Sequence, residues 1–244
     1  MNLDRIIAVR NDKTVYHDGN LSIKAFRSTV PMSYILKEAF FLSVAAEVGL
    51  DVPALHSVVE QDGRWTLVSD YIKGRALDQI YAQNPTLRGE ILSRFADLQV
   101  QILSKTYCGL PSTKGLVRAR VEASSIASSV KTALLRNLEP MPEGDRLCHG
   151  DFTLSNVVQT DDGRLFTLDW SRACLGVGDD DAATTYLLLV RTIGEDAAKM
   201  YLEDYCRKAP TNMYAVNKWI PFIAAMRYAI GNRMDRDFYG RYFL

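Results

Sequence analysis

Three Asp-Gly dipeptides, each flanked by runs of β-forming residues, constrain the fold of this chain most strongly. They are Asp18-Gly19, Asp62-Gly63 and Asp162-Gly163. An Asp-Gly pair between two such runs is a strong local signal for a β-hairpin, because both residues tolerate the positive φ that a tight turn requires. The sequence therefore predicts three antiparallel hairpins, two of them in the N-terminal third of the chain.

A helix is predicted between the first two hairpins. The segment PMSYILKEAFFLSVAAEVGLDVP opens with Pro31, consists largely of good helix formers and ends at Gly49 and Pro53. From Asp78 onward the pattern is mainly helical apart from the third hairpin. The expected class is α+β, with residues 1–72 as a small antiparallel-sheet lobe containing one helix and residues 73–244 as a large, mainly helical lobe.

The composition excludes several classes of partner. Lysine plus arginine balances aspartate plus glutamate at 29 each, which gives no indication of a nucleic-acid or membrane-surface partner. The apolar runs are too short to span a bilayer, and the N-terminus lacks the apolar core of a secretory signal. The four cysteines form no C-x-x-C pair, so we interpret them as free thiols in a cytoplasmic protein.

The third hairpin brings candidate metal ligands together. If Asp162-Gly163 forms a two-residue turn, Asn156 lies opposite Asp169 at the open end of the hairpin, and Asp151 lies in the loop that leads into it. Carboxylate and amide oxygens are ligands that Mg²⁺ prefers. The simpler alternative, which the hairpin alone leaves open, is that Asn156 and Asp169 only end the two strands.

The first hairpin and the helix offer a second constellation. Lys24 alternates with apolar residues in LSIKAF, so its side chain leaves the sheet on the opposite face from theirs. Glu38 lies between Ile35 and Leu42 on an apolar helical stripe. A half-buried carboxylate needs a cationic partner, and Lys24 is the candidate, although a solvated lysine on an exposed strand is the commoner case.

These residues resemble those of a known enzyme family. A strand lysine, a glutamate on the next helix, H-G-D-x-x-x-x-N and a later aspartate form the protein-kinase-like set in the version of small-molecule kinases. Together with VSDYIKGRAL and LDWSRACLGVGDDDAATTYLLL, they resemble the aminoglycoside phosphotransferase family, which is related to choline kinases, over almost the whole chain. The resemblance implies a bilobal kinase-like fold, with nucleotide between the lobes, and transfer of the γ-phosphate of ATP to a hydroxyl of a small molecule.

The resemblance also implies residue roles. They are the catalytic carboxylate Asp151, the Mg²⁺ ligands Asn156 and Asp169, the phosphate-binding Lys24 with its partner Glu38, and the adenine-binding backbone at Ser69, Asp70 and Tyr71. Asp151 would orient the substrate hydroxyl and accept its proton. His149 and Asp181 are expected to be structural residues of the catalytic loop.

One departure from the kinase pattern and two alternatives remain. Protein kinases cover the phosphates with a glycine-rich loop, whereas IAVRNDKTVY contains no glycine. A nucleotide-binding pseudokinase is the main alternative. A protein kinase is disfavoured because the short segment LDWSRACLGVGDDD around Asp169 leaves little room for a long activation loop. From Ser171 to the end there are 9 acidic and 10 basic residues, so a neutral or modestly charged acceptor is expected rather than a polycationic one.

Overall fold

A computed structural model describes residues 5–10, 12–61 and 63–244. In chain order the strands are β1 (Ile6–Val9), β2 (Lys13–Asp18), β3 (Leu21–Phe26), β4 (Leu55–Gln61), β5 (Arg64–Asp70), β6 (Arg75–Ala76), β7 (Arg146–Cys148), β8 (Val157–Gln159), β9 (Leu165–Thr167) and β10 (Cys174–Gly176). The helices are α1 (Met32–Glu47), α2 (Leu77–Gln83), α3 (Arg88–Leu103), α4 (Thr113–Ala123), α5 (Ser128–Leu138), α6 (Asp179–Ile193), α7 (Glu195–Lys208), α8 (Met213–Ile230) and α9 (Arg233–Tyr239).

These elements form two compact units. The sheet unit contains the described residues up to Gln83 together with Leu154–Arg172, and the helical unit contains Asn84–Thr153 with Ala173–Leu244. The predicted lobe boundary after Ile72 stays a prediction. Within the described residues, no helix is both long enough and apolar enough to cross a membrane.

The main sheet of the sheet unit is antiparallel, with strand order β1-β2-β3-β5-β4. The predicted sequence of strand, strand, helix, strand, strand is confirmed by β2, β3, α1, β4 and β5, and β1 adds a fifth strand at the edge. Phe26, Ile35, Ala39 and Leu67 form the core between this sheet and α1. Burying each large apolar side chain contributes about 1.5–3 kcal/mol, which holds α1 against the sheet.

The first two hairpins form where they were predicted, but one turn differs. Asp18 pairs with Leu21, so the first turn consists of Gly19 and Asn20 instead of Asp18 and Gly19. Gly19 has a φ of 59°, and a glycine-first two-residue turn matches the twist of the flanking strands. In the second hairpin Gln61 pairs with Arg64, whereas Asp62 itself lies outside the described residues.

The register predicted for the third hairpin is wrong by one residue. Its turn has three residues, Asp161 to Gly163, because Gly163 N–H donates to the Thr160 carbonyl at 2.9 Å and Gly163 takes a φ of 85°. Val157 pairs with Thr167 in the resulting ladder. Asp162 therefore lies in the middle of the turn, where its carboxylate accepts a hydrogen bond from Arg164 N–H at 3.3 Å.

The shifted register changes the partner of Asn156. Leu168 N–H donates to the Asn156 carbonyl at 2.8 Å, so Asn156 lies opposite Leu168 and not opposite Asp169. The same small sheet includes β6, which pairs with β8. Gly74, just before β6, has to be glycine because a Cβ there would lie 2.3 Å from the Gln159 carbonyl oxygen.

The helical unit confirms the second half of the predicted pattern. In it α3 packs against α7, α6 packs against α7 and α8, and α4 packs against α8. Phe95 of α3 stacks on Phe152 with ring centroids 4.1 Å apart. The strands β7 and β10 pair antiparallel, and β7 leads directly into the loop that carries Asp151.

Candidate active site

Asp181, in the first turn of α6, fixes the loop that follows β7. Its Oδ1 accepts a 2.8 Å hydrogen bond from Gly150 N–H, and its Oδ2 accepts a 3.4 Å bond from His149 N–H. Gln99 Nε2 donates to the same Oδ2 at 2.9 Å, and the Asp181 side chain is buried. Gly150 has a φ of 74°, a conformation that favours glycine. Asp181 thus braces the loop, as the sequence predicted.

His149 packs inside this loop. Its side chain is fully buried, and its ring meets Phe152 edge-on with centroids 5.8 Å apart. Nδ1 accepts a 3.2 Å hydrogen bond from Asp151 N–H. These contacts agree with the predicted structural role of His149, because a side chain without exposed surface cannot reach a substrate.

Asp151 forms an ion pair that was not predicted from the sequence. Arg227 Nη1 lies 2.9 Å from Asp151 Oδ1, and Arg227 Nη2 donates to the Gly150 carbonyl at 2.6 Å. The Asp151 side chain is 28 % exposed, whereas that of Arg227 is 9 % exposed. Burial lowers the pKa of Arg227, but Asp151, Tyr239 and Asp181 together raise it above its ordinary value. The catalytic candidate is therefore held by a charged guanidinium.

A signal for Arg227 is present in the sequence. Val216, Trp219, Ile223 and Arg227 follow one another at i, i+3, i+7 and i+11 on α8, and all four are buried. A charged residue on an apolar helical stripe is the pattern that identified Glu38. The same test applied to α8 finds Arg227.

The sheet unit contains a cavity of about 430 Å³. This size is within the range of about 300–1,000 Å³ that is typical of ligand pockets. The residues predicted to bind nucleotide or metal all line it, namely Lys24, Glu38, Ser69, Asp70, Tyr71, Asn156 and Asp169. Asp151, the predicted catalytic residue, belongs to the helical unit.

Two lysines meet Glu38 at this cavity. Lys24 Nζ lies 2.6 Å from Oε1, so the predicted contact between Lys24 and Glu38 is present. Lys13 Nζ, from β2, lies 3.1 Å from Oε1 and 2.9 Å from Oε2, and 3.6 Å from Asp169 Oδ1. Lys13 and Glu38 are buried, and Lys24 is 18 % exposed. Burial lowers the pKa of Lys24, but Asp169 and Glu38 together raise it above its ordinary value.

Lys13 is a site residue that the sequence reasoning missed. In the observed register Val15 pairs with Lys24. Lys13 is two positions from Val15, so both lysines project from the same face of the sheet. The correct hairpin register would have identified Lys13 as a neighbour of Lys24.

The backbone at Asp169 is unusual. Asp169 has a φ of 57° and is the single described residue other than glycine with a positive φ. Aspartate tolerates the left-handed region better than most residues, but the conformation is uncommon and often marks functional positions. In this conformation the Asp169 carboxylate lies beside Lys13, with Oδ1 at 3.6 Å from Nζ.

The donor set at Asn156 and Asp169 suits a cation that takes most of its ligands from elsewhere. Both side chains line the cavity, and they supply hard oxygen ligands. No group of three or more His, Cys, Asp or Glu residues is positioned to hold a metal in the described part of the chain. Mg²⁺ fits the donor set of Asn156 and Asp169, because it commonly binds one or two protein side chains plus phosphate oxygens and water.

The backbone predicted to bind adenine already makes several hydrogen bonds. Asp70 N–H donates to the Ala54 carbonyl at 3.0 Å, and Tyr71 N–H donates to the Asn20 carbonyl at 2.8 Å. The Asp70 side chain contacts His56 at 2.7 Å. These two N–H groups are consequently occupied within the protein, and the next residue, Ile72, also lines the cavity.

Comparison with protein-family models matches residues 11–216 to the phosphotransferase enzyme family, APH. The match covers most of the chain and includes all the residues predicted for the site. The chain belongs to the phosphotransferase enzyme family. The predicted resemblance is confirmed, as is the prediction of an enzyme that transfers a phosphoryl group. Arg227 lies outside the matched residues of this phosphotransferase.

Solved structures support the kinase-like fold. The phosphotransferase is similar to a thermostable mutant of aminoglycoside phosphotransferase APH(4)-Ia in its apo form, with a TM-score of 0.71 and 18% identity over 97% of this chain and 91% of the other. It is similar to choline kinase LicA from Streptococcus pneumoniae, with a TM-score of 0.70 and 15% identity over 99% and 92%. A related APH(4)-Ia mutant, in ternary complex with ADP and hygromycin B, has a TM-score of 0.69 and 17% identity over 97% and 90%. A comparison with curated proteins finds no significant match.

Proposed function

We propose that this phosphotransferase transfers the γ-phosphate of ATP, bound with Mg²⁺, to a hydroxyl of a small molecule. The observation that carries the proposal is the cavity in which Lys13, Lys24, Glu38, Asn156 and Asp169 come together. The related structure that binds ADP and hygromycin B lends support from the same fold. The proposal keeps the predicted cytoplasmic location, where ATP is available.

The two lysines are suited to phosphate oxygens. Each ammonium group offers three donors, and Glu38 holds both of them at the cavity wall. Lys24 is the more exposed of the two and is assigned to the α- and β-phosphates. Lys13 supplies a second fixed positive charge near the position where a glycine-rich loop would otherwise supply backbone N–H groups.

Asn156 and Asp169 are assigned as protein ligands of Mg²⁺. When bound, the ion neutralises phosphate charge and fixes the geometry of the phosphates. Lys13 limits the repulsion between Asp169 and the phosphates, because its ammonium lies 3.6 Å from the Asp169 carboxylate. For the adenine edge we assign the carbonyls near Ser69 and Asp70 and the N–H of Ile72, since the N–H groups of Asp70 and Tyr71 are occupied.

Asp151 is assigned to the acceptor hydroxyl, which it orients and from which it accepts a proton. Phosphoryl transfer depends mainly on positioning and electrostatic stabilisation, so a fixed carboxylate is more important than a strongly basic one. The near balance of charge after Ser171 favours a neutral or modestly charged acceptor. Arg227 beside Asp151 adds a positive charge at this position, which also disfavours a polycationic acceptor.

Calorimetry with ATP tests the nucleotide and metal assignments. Wild type should bind ATP with Mg²⁺ and bind it much more weakly with a chelator, because bare phosphates would face the Asp169 carboxylate. Asp169→Asn should weaken Mg·ATP binding, whereas the exposed Asp161→Asn should not change it. Equal ATP affinity with and without Mg²⁺ would contradict the metal assignment.

A pseudokinase would also bind nucleotide, so turnover is measured separately. Purified protein is incubated with Mg·ATP and a panel of hydroxylated metabolites and antibiotics, and products are read by mass spectrometry. The proposal predicts a phosphorylated product and an equal amount of ADP. Nucleotide binding without any product across a broad panel would favour the pseudokinase instead.

A further inference from the structure

We propose that Arg227 is a positioning residue, which fixes the orientation of the Asp151 carboxylate for the acceptor hydroxyl. The inference deepens the proposed function and rests on it. Arg227 lies on α8, outside the segment that matches the family model.

The two hydrogen bonds of Arg227 fix consecutive residues of the loop. One guanidinium nitrogen bonds the Asp151 side chain at 2.9 Å, and another bonds the Gly150 carbonyl at 2.6 Å. Because the guanidinium is planar and its donors have a fixed spacing, bonds to a side chain and to the adjacent backbone restrict the carboxylate to a narrow range of orientations. A lysine at position 227 would keep the positive charge but would lose the planar pair of donors at fixed spacing.

The burial of Arg227 indicates more than a packing role. An arginine that is more than nine-tenths buried on an apolar helical stripe is costly to desolvate, and an apolar residue of similar volume would often be at least as stabilising. What an apolar residue cannot supply is an oriented positive charge at Asp151.

Three other ionisable groups near the pair have contacts of their own. Asp181, from α6, accepts hydrogen bonds from the loop backbone at Gly150 and His149. His149 accepts the Asp151 N–H at Nδ1, and Tyr239, from α9, interacts electrostatically with Arg227. Arg227 is the group among them that binds the Asp151 carboxylate through a charged hydrogen bond, so its removal should release the orientation of that carboxylate.

The test uses Arg227→Ala and Arg227→Lys, with Lys218→Gln as a control on the exposed face of the same helix. The contact between Arg227 and Asp151 is followed by the carboxyl ¹³C NMR signal of Asp151, which is assigned with Asp151→Asn. At fixed pH the Asp151 signal should move in Arg227→Ala, because the contact with the guanidinium is lost, and should stay at its wild-type position in Lys218→Gln. Misplacement of the carboxylate should also lower kcat by about 10²-fold.

The remaining readouts separate positioning from folding. Mg·ATP affinity should change less than about twofold. Added guanidinium ion should restore part of kcat to Arg227→Ala at constant ionic strength, and the kcat of Arg227→Lys should lie between those of wild type and Arg227→Ala. A kcat of Arg227→Ala equal to that of wild type, or no recovery of kcat with guanidinium ion, would overturn the inference. Loss of activity that only follows the folded fraction would overturn it too. A wild type without turnover, in which the Asp151 carboxyl signal still moves in Arg227→Ala and not in Lys218→Gln at fixed pH, would instead contradict the proposed function and support the contact.

Discussion

Replacing Glu38 by glutamine tests whether the buried carboxylate organises the two lysines of the cavity. Glu38 is 2 % exposed and lies within 3.1 Å of both Lys13 Nζ and Lys24 Nζ. At an effective dielectric constant of about 20, each contact is worth roughly 5–6 kcal/mol of gross attraction, most of which offsets the desolvation of the charges. In Glu38→Gln the two lysines lose the carboxylate that they share, so their largely buried positive charges are no longer compensated. We therefore expect the free energy of unfolding to fall by about 3–5 kcal/mol.

Thermal unfolding measures this loss directly. For a chain of this length 1 kcal/mol corresponds to about 2–4 °C, so Glu38→Gln should lower Tm by about 6–20 °C. Glu47→Gln, an exposed position on the same helix, should change the free energy by less than about 0.5 kcal/mol. In a double-mutant cycle Lys13→Met and Glu38→Gln should be non-additive by about 0.5–3 kcal/mol. If Glu38→Gln is as stable as Glu47→Gln, Glu38 does not organise Lys13 and Lys24 as described.

Three further predictions concern activity and pH. Asp151→Ala should lower turnover by about 10²–10⁴-fold while leaving Mg·ATP binding nearly unchanged, whereas Asp169→Ala should weaken both. Steady-state kinetics and calorimetry on the two variants measure turnover and binding, and equal Mg·ATP binding by both variants would contradict the prediction. Burial raises the pKa of Asp180 from 3.8 to about 6, so its contribution to stability is present below pH 4 and is lost as pH rises through 6. Relative to wild type, the free energy of unfolding of Asp180→Asn should therefore increase by about 1–3 kcal/mol between pH 4 and pH 8. Tm measured at both pH values tests this, and a difference between the two proteins that stays constant would refute it. Neutral hydroxylated acceptors should be turned over more efficiently than kanamycin-like polycations, and efficient, salt-sensitive turnover of such polycations would overturn the expected acceptor class.

The fold was predictable because its strongest signals are local. Asp-Gly dipeptides between β-forming runs identified three hairpins, and Pro31 and Gly49 bracketed α1 close to its observed ends. Register was harder to predict, because an Asp-Gly pair fits more than one turn. At Asp162-Gly163 a three-residue turn places glycine last, and at Gly19-Asn20 the glycine comes first. Each change shifts the pairing by a small number of residues and alters which side chains face each other.

The candidate site was predictable where a charge interrupts an apolar pattern. That test found Glu38 and its contact with Lys24, and it would have found Arg227. Lys13 escaped because its position next to Glu38 depends on the pairing of β2 with β3, which is a tertiary feature. The left-handed backbone of Asp169 has no sequence signal, since aspartate adopts it only when the surrounding structure requires it.

The most direct test of the central claim is phosphate transfer by the purified protein. Wild type and Asp151→Asn are incubated with Mg·ATP and the acceptor panel, and mass spectrometry follows the acceptor and ADP in the same sample. We predict that wild type forms a singly phosphorylated acceptor with one ADP per product, and that Asp151→Asn, still folded and still binding Mg·ATP, forms very little of either. If wild type forms no phosphorylated acceptor, or if Asp151→Asn forms it at the wild-type rate, the account of this enzyme is wrong.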